Sequence, residues 1–124
     1  MTLAQLLPDQ YGLDLHVQVV NLLIGATHHN EKTEETIAVA EFLVCDTTSQ
    51  AILKVENDQI NTLKENKAVH LINARTTTFN GQLRITVDAH PKFGGKIEPD
   101  VDAPTIANPL NLPNISDTNF TKLD

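Results

Sequence analysis

The chain of 124 residues has no tryptophan, one tyrosine, one methionine and one cysteine, and only 4% of it is aromatic. A single cysteine, Cys45, can form neither an internal disulfide nor a multi-cysteine zinc site, which fits a reducing compartment. No apolar run approaches the roughly 20 residues a membrane-spanning helix needs, so no membrane association is expected. Met1–Pro8 lacks a basic leader and holds only a broken apolar stretch, so no secretory signal is expected. There is no phosphate-cradling glycine loop, Ser/His/Asp arrangement or paired carboxylate, and no enzyme activity or cofactor is expected. Basic residues are also few: 9 Lys and Arg stand against 16 Asp and Glu, a net charge of −7. Taken whole, that balance argues against a polyanionic partner.

The charge is unevenly spread, however. Residues 98–124 hold five acids against Lys122, a local −4. Residues 67–97 hold Lys67, Arg75, Arg84, Lys92 and Lys96 against Asp88 alone, a local +4. With 40% hydrophobic and 20% charged residues, the composition is that of one globular domain.

Residues 1–12 form a lead-in broken by Pro8 and Gly12. From Leu13, apolar Leu15, Val17 and Val19 alternate with Asp14, His16 and Gln18, the period of a half-buried strand. At Val19-Val20 the phase slips and Val20, Leu22 and Ile24 become the apolar set, which predicts a bulge and strong curvature. Gly25–Lys32 reads as a polar loop. Thr36–Cys45 is nearly continuous and β-branched, as a central strand would be, and Asp46–Ser49 reads as a turn. Ala51, Leu53 and Val55 mark a third strand. Asn57 or Asp58 is placed to cap a short helical connector over 57–63, with Ile60 and Leu63 packed inward. Ala68–Phe79 is a fourth strand, Asn80-Gly81 a type I′ hairpin turn, and Leu83, Ile85 and Val87 mark the fifth. Beyond Ile97, four prolines and many asparagines break all periodicity, so an extended or partly disordered tail is expected.

This order predicts an all-β fold: a five-stranded OB-fold barrel over 13–97, a short helical connector between strands 3 and 4, and an extended acidic tail over 98–124. A β-sandwich is the alternative, but it usually takes seven or more strands.

The hairpin defines a candidate site. A two-residue turn at Asn80-Gly81 sets Phe79 opposite Gln82, Thr77 opposite Arg84 and Arg75 opposite Thr86. These six share one face; Ala74, Thr76, Thr78, Leu83, Ile85 and Val87 share the other, the core side. A base can stack on Phe79, while Arg75 and Arg84 can pair with phosphates or stack themselves. Gln82 and the threonines can bond base edges or sugars. Alternatively, the same residues form an ordinary solvated face. Lys92, Phe93 and Lys96 flank Gly94-Gly95, a flexible loop able to close over a nucleic-acid backbone or simply cover the barrel end. His28 and His29 fall in the polar loop and, being adjacent, point apart; His16, His70 and His90 show no zinc-ligand spacing, and no metal site is expected. Cys45 reads as a buried structural thiol.

Residues 42–97 resemble the single-OB-fold, single-stranded-DNA-binding proteins related to the OB-fold component of the sensor-of-single-strand-DNA complex and to replication protein A. The match is closest to a small plant-type branch of that group. It rests on Cys45–Ser49, Asn57–Ile60 with Leu63-Lys64, Asn73–Arg75, Phe79–Gly81, Leu83-Arg84, Val87-Asp88, and Phe93-Gly94 with Lys96-Ile97. Pro113–Asp117 is similar to an element that follows the barrel in the sensor-complex proteins. An ungapped reading puts the third-strand Trp of those proteins at Glu56, their fourth-strand Tyr at Arg75 and their fifth-strand Tyr at Thr86. Only their Phe is kept, as Phe79. The resemblance implies non-catalytic binding of single-stranded DNA or RNA, a role in DNA repair and a nuclear location, with a cytoplasmic one as the alternative. An adaptor subunit that has lost most nucleic-acid contact is the competing reading, favoured by the missing aromatics. Residues 98–124 supply its docking element, since Leu110, Leu112, Ile115 and Phe120 give apolar anchors; folding back over the +4 stretch is the other course open to them.

Overall fold

The computed structural model describes residues 1–88, 94–100 and 106–117. The strands are β1 (Leu13–Asn30), β2 (Glu35–Cys45), β3 (Gln50–Glu56), β4 (Ala68–Phe79), β5 (Gln82–Thr86) and β6 (Lys96–Pro99). One short helix, α1 (Gln59–Thr62), joins β3 to β4. β1 pairs with β2, β2 with β3, β3 with β5 and β5 with β4, and β4 returns to β1, so five strands close a ring. Only the β3–β5 pairing in that ring is parallel. The architecture is the OB barrel that the strand order predicts, with the helix in its expected place. β6 is an added strand along the first half of β4. No helix among the described residues is long and apolar enough to cross a membrane.

Closure depends on β1 serving two partners. Leu13–Gln18 pairs with β4, and the rest of the strand pairs with β2. The register with β2 shifts between Val19 and Asn21, at the predicted phase slip, and again between Leu22 and Ile24. Each extra residue bends and twists the strand. Against β4 the register shifts between Leu13 and Leu15, where Asn73 lies in the left-handed region at φ 56.

The alternating residues of the first strand are buried as expected: Leu15, Val17 and Val19 meet Phe42, Val44, Leu53, Val55, Leu71, Leu83 and Ile85 in one core. The connector packs Leu63 and, partly, Ile60 onto that core. Neither Asn57 nor Asp58 caps it: Asp58 occupies the cap position without a side-chain bond. Asn57, at φ 51, instead clasps β2 through its backbone N–H to Ala38 O and its Oδ1 to Ala38 N. Asn80 and Gly81 both have positive φ, as a type I′ turn requires.

The expected loop over Gly25–Lys32 is instead strand as far as Asn30. β1 and β2 run on as a two-stranded arm, pairing Ala26 with Val39 and His28 with Ile37. An arm with solvent on both faces has no buried side to impose alternation, so the hydrophobic pattern that marks other strands is missing here. For the same reason Leu22 and Ile24 are exposed rather than core.

The lead-in packs tightly. Leu3 and Leu6 belong to the core, Asp46 Oδ2 accepts from Leu3 N (2.7 Å), and Thr76 is bonded to Leu7 O and Gln10 N. The described part of the tail packs on the barrel too. Gln50 N donates to Pro113 O, Gln50 Nε2 to Leu112 O, and Ile52 N to Ser116 Oγ, which is fully enclosed. Buried Gln18 exchanges hydrogen bonds with the Ile106 backbone. The tail thus finds its bonding partners on β1, β3 and, at Glu98–Asp100, β4. Phe120 lies outside the described residues.

Leu3 is 0% exposed and Leu7 58%. Leu3→Ala is therefore expected to destabilise the fold by about 2–5 kcal/mol in urea denaturation, while Leu7→Ala shifts the midpoint little.

Candidate nucleic-acid interface

The β4–β5 hairpin has the expected register: Phe79 faces Gln82, Thr77 faces Arg84 and Arg75 faces Thr86. Ala74, Thr76, Leu83, Ile85 and Val87 are buried on the opposite side, but Thr78, expected there, lies near the hairpin end beyond the core, where it is exposed and lines the cleft. Arg75, Thr77, Phe79, Arg84 and Thr86 line one open cleft of about 450 Å³. Phe79 is 64% exposed there.

Three further elements complete the cleft: Ile24 and Ala26 from the β1 arm, Val39 and Glu41 from β2, and Lys54 from β3. These residues escape sequence reasoning because barrel closure, not chain proximity, brings them to the hairpin. Tyr11 escapes it as well. It is 73% exposed and, with Gly12, Asn73 and Asp88, lines an adjoining pocket of about 330 Å³ whose wall includes Arg75. Arg75 is thus common to a pocket holding Tyr11 and a cleft holding Phe79. The signal for Tyr11 is that it is the chain's one tyrosine and stands beside Gly12, a turn residue at φ 65. The lead-in's bonds to Thr76 hold that segment against β4.

The arginines are less available than the sequence suggests. Arg84 is 8% exposed, and its Nε donates to Glu41 Oε2 at 2.7 Å. Arg75 Nε donates to Asp88 Oδ2 at 2.6 Å, a bond that holds the guanidinium pKa above its ordinary value. Each cation therefore has a carboxylate beside it before any phosphate arrives. Lys54, the cross-strand neighbour of Glu41, has no ion-pair partner among the described residues. Together Lys54, Arg75 and Arg84 exceed Glu41 and Asp88 by one charge, so the cleft and the adjoining pocket combine a weak positive field with two exposed rings. Thr86 Oγ1 is enclosed without a partner among the described residues.

The other expected site residues are dispersed. Gln82 keeps its place opposite Phe79 but is not among the residues lining the cleft. Lys96 lies apart, in a groove between α1 and β6 with Asp58, Gln59 and Glu98. Lys92, Phe93 and His90 lie outside the described residues. Gly95 is not a freely moving loop residue: its N–H donates to Asp88 O, and a Cβ there would sit 2.5 Å from that oxygen. His28 and His29 are exposed near the arm tip, with His29 bonded to Thr36. His16 and His70, 54 positions apart, are cross-strand partners, which no local spacing could reveal. Cys45 is buried and free, as expected.

Residues 6–98 match the family model described as single-stranded DNA binding protein Ssb-like, OB fold, and the chain belongs to that family. The family is one of binding proteins. The chain is similar to the solution structure of hypothetical protein F20O9.120 from Arabidopsis thaliana. The two are 25% identical with a TM-score of 0.75, over 100% of this chain and 87% of that one. No curated protein matches the chain.

Burial, and secondarily the charge of Asp46, push the Cys45 thiol up to about 11 from 9.0. The folded state therefore keeps a proton that the unfolded chain releases first. Its stabilising contribution is complete below about pH 9 and falls away as pH rises toward about 11. Urea midpoints on either side of that window should fall further for the native chain than for Cys45→Ala, and a thiol reagent should label Cys45 only on unfolding.

Proposed function

We propose that the chain is a non-catalytic binder of single-stranded DNA or RNA, held in the β4–β5 cleft with Phe79 and Tyr11 as stacking surfaces joined by Arg75. The observation that carries this reading is an exposed Phe79 in a cleft that shares Arg75 with the pocket of an exposed Tyr11. Membership of a single-stranded-DNA-binding OB family supports it. With the arginines already paired, stacking outweighs phosphate attraction, since each base on an aromatic contributes about 1–3 kcal/mol. The resemblance to the sensor-complex and replication protein A group supports a nuclear role in DNA repair. Imaging of the tagged chain tests the location, and a purely cytoplasmic signal would count against it.

The adaptor reading is favoured by the paired arginines and by Leu110, exposed on the docked tail. The tail's bonds to Gln18, Gln50 and Ile52 make its deletion a test of folding as much as of docking. Leu110→Asp is the cleaner probe for a protein partner.

Titration of a labelled single-stranded oligonucleotide decides between the two. Phe79→Ala and Tyr11→Ala should each weaken binding by about 1–3 kcal/mol. The salt dependence should be shallow, with a slope worth about one or two phosphates, and Lys54→Ala should flatten it by about one. No binding at low salt, with loss of a protein partner on Leu110→Asp, would transfer the function to the adaptor class.

A further inference from the structure

On the outer wall of the barrel, away from the cleft residues, β1 and β4 bring together a second group of functional side chains. Asp14 and His16 stand two positions apart on β1, so both point outward. His70 is directly opposite His16 in the register. The two imidazole rings stack with centroids 4.1 Å apart and planes 14° from parallel. His70 Nε2 meets Asp14 Oδ1, and His16 Nδ1 meets Asp100 Oδ2 at 2.8 Å. Asp100 is itself fixed, because its N–H donates to Ala68 O.

We propose that Asp14, His16 and His70 form a binding site for a divalent first-row transition ion of the zinc class, with Asp100 orienting His16. Each of the three offers one donor atom, and these atoms all lie within 4.8 Å of one another. Zinc takes imidazole nitrogen and carboxylate oxygen at about 2.0–2.2 Å, so small side-chain rotations bring all three onto one ion. Two imidazoles with a carboxylate suit a borderline cation such as zinc better than magnesium or calcium, which take oxygen shells. With Nδ1–H of His16 donating to Asp100, its Nε2 carries the lone pair. A carboxylate behind a histidine is the arrangement that fixes tautomer and ring direction in metal sites. The ion takes the place of the hydrogen bond between Asp14 and His70, turning both partners into ligands.

This site has an architectural consequence. It ties the first strand, the fourth strand and the chain just past β6 together at one point, on the face opposite the core. An ion that binds only the folded chain raises its stability in proportion to its occupancy.

The test uses the full chain, freed of metal by a chelator, titrated with zinc chloride by calorimetry and with cobalt(II) by visible absorption. One zinc per chain is expected, with a tetrahedral cobalt spectrum and a raised melting temperature. His16→Ala and His70→Ala should abolish all three signals. Asp100→Asn should weaken zinc by about 10- to 100-fold, the usual effect of losing the partner of a ligating histidine. His28→Ala/His29→Ala, at the arm tip, should bind like the native chain. His16, His28 and His29 are exposed and His70 and Asp100 half-buried, so circular dichroism verifies that the variants are folded. Absence of heat in excess zinc overturns the proposal. So does binding that survives His16→Ala and His70→Ala, or that disappears in the arm-tip variant.

Discussion

Everything in this molecule depends on the bend in β1. One strand pairs with β4 over its first third and with β2 over the rest, and a flat strand cannot face two directions. The two register shifts supply the turn at the cost of a few ladder bonds, and the left-handed Asn73 adjusts the opposing strand. Once the ring is closed, the aliphatic residues of five strands face one another, and burial at about 25 cal/mol per Å² of apolar surface holds them. The same bend carries the rest of β1 out past the core as the arm that walls the cleft.

Closure also explains the balance of charge across the cleft. The β2–β3–β5 wall sets Glu41 against Arg84, and the segment leaving β5 sets Asp88 against Arg75. The two arginines of the basic stretch are therefore each offset by a carboxylate in space. For the proposed binding, such a surface favours shape and ring contact over attraction at a distance. An overall charge of −7 points the same way.

The barrel was legible because its pieces are local. The alternation of Leu15, Val17 and Val19, the phase slip at Val20 and the Asn80-Gly81 turn each declare themselves within a few residues. The hairpin face followed from that turn, so Arg75, Thr77, Phe79, Arg84 and Thr86 could be placed together. The carboxylates that meet the arginines were not legible for Arg84, since Glu41 lies 43 positions away. The arm was illegible for a different reason: its residues face water on both sides and carry no pattern. Tyr11 lay in a segment without periodicity, whose position is set by Leu3, Leu6 and the bonds to Thr76. Long-range contact decides these cases, and local sequence carries little record of it.

The parallel contact between β3 and β5 spans only Leu53–Ile85 and Lys54–Thr86. On the margin away from β2, that leaves the start of β3 with backbone groups and no neighbouring strand in the ring. Pro113, Asn114 and Ser116 occupy that margin, accepting from Gln50 N and Ile52 N and adding a single parallel bridge at Gln50. An open strand margin is a template on which another chain can add itself. The docked tail covers that margin at the start of β3 with a proline-bearing segment poorly suited to recruiting a further strand.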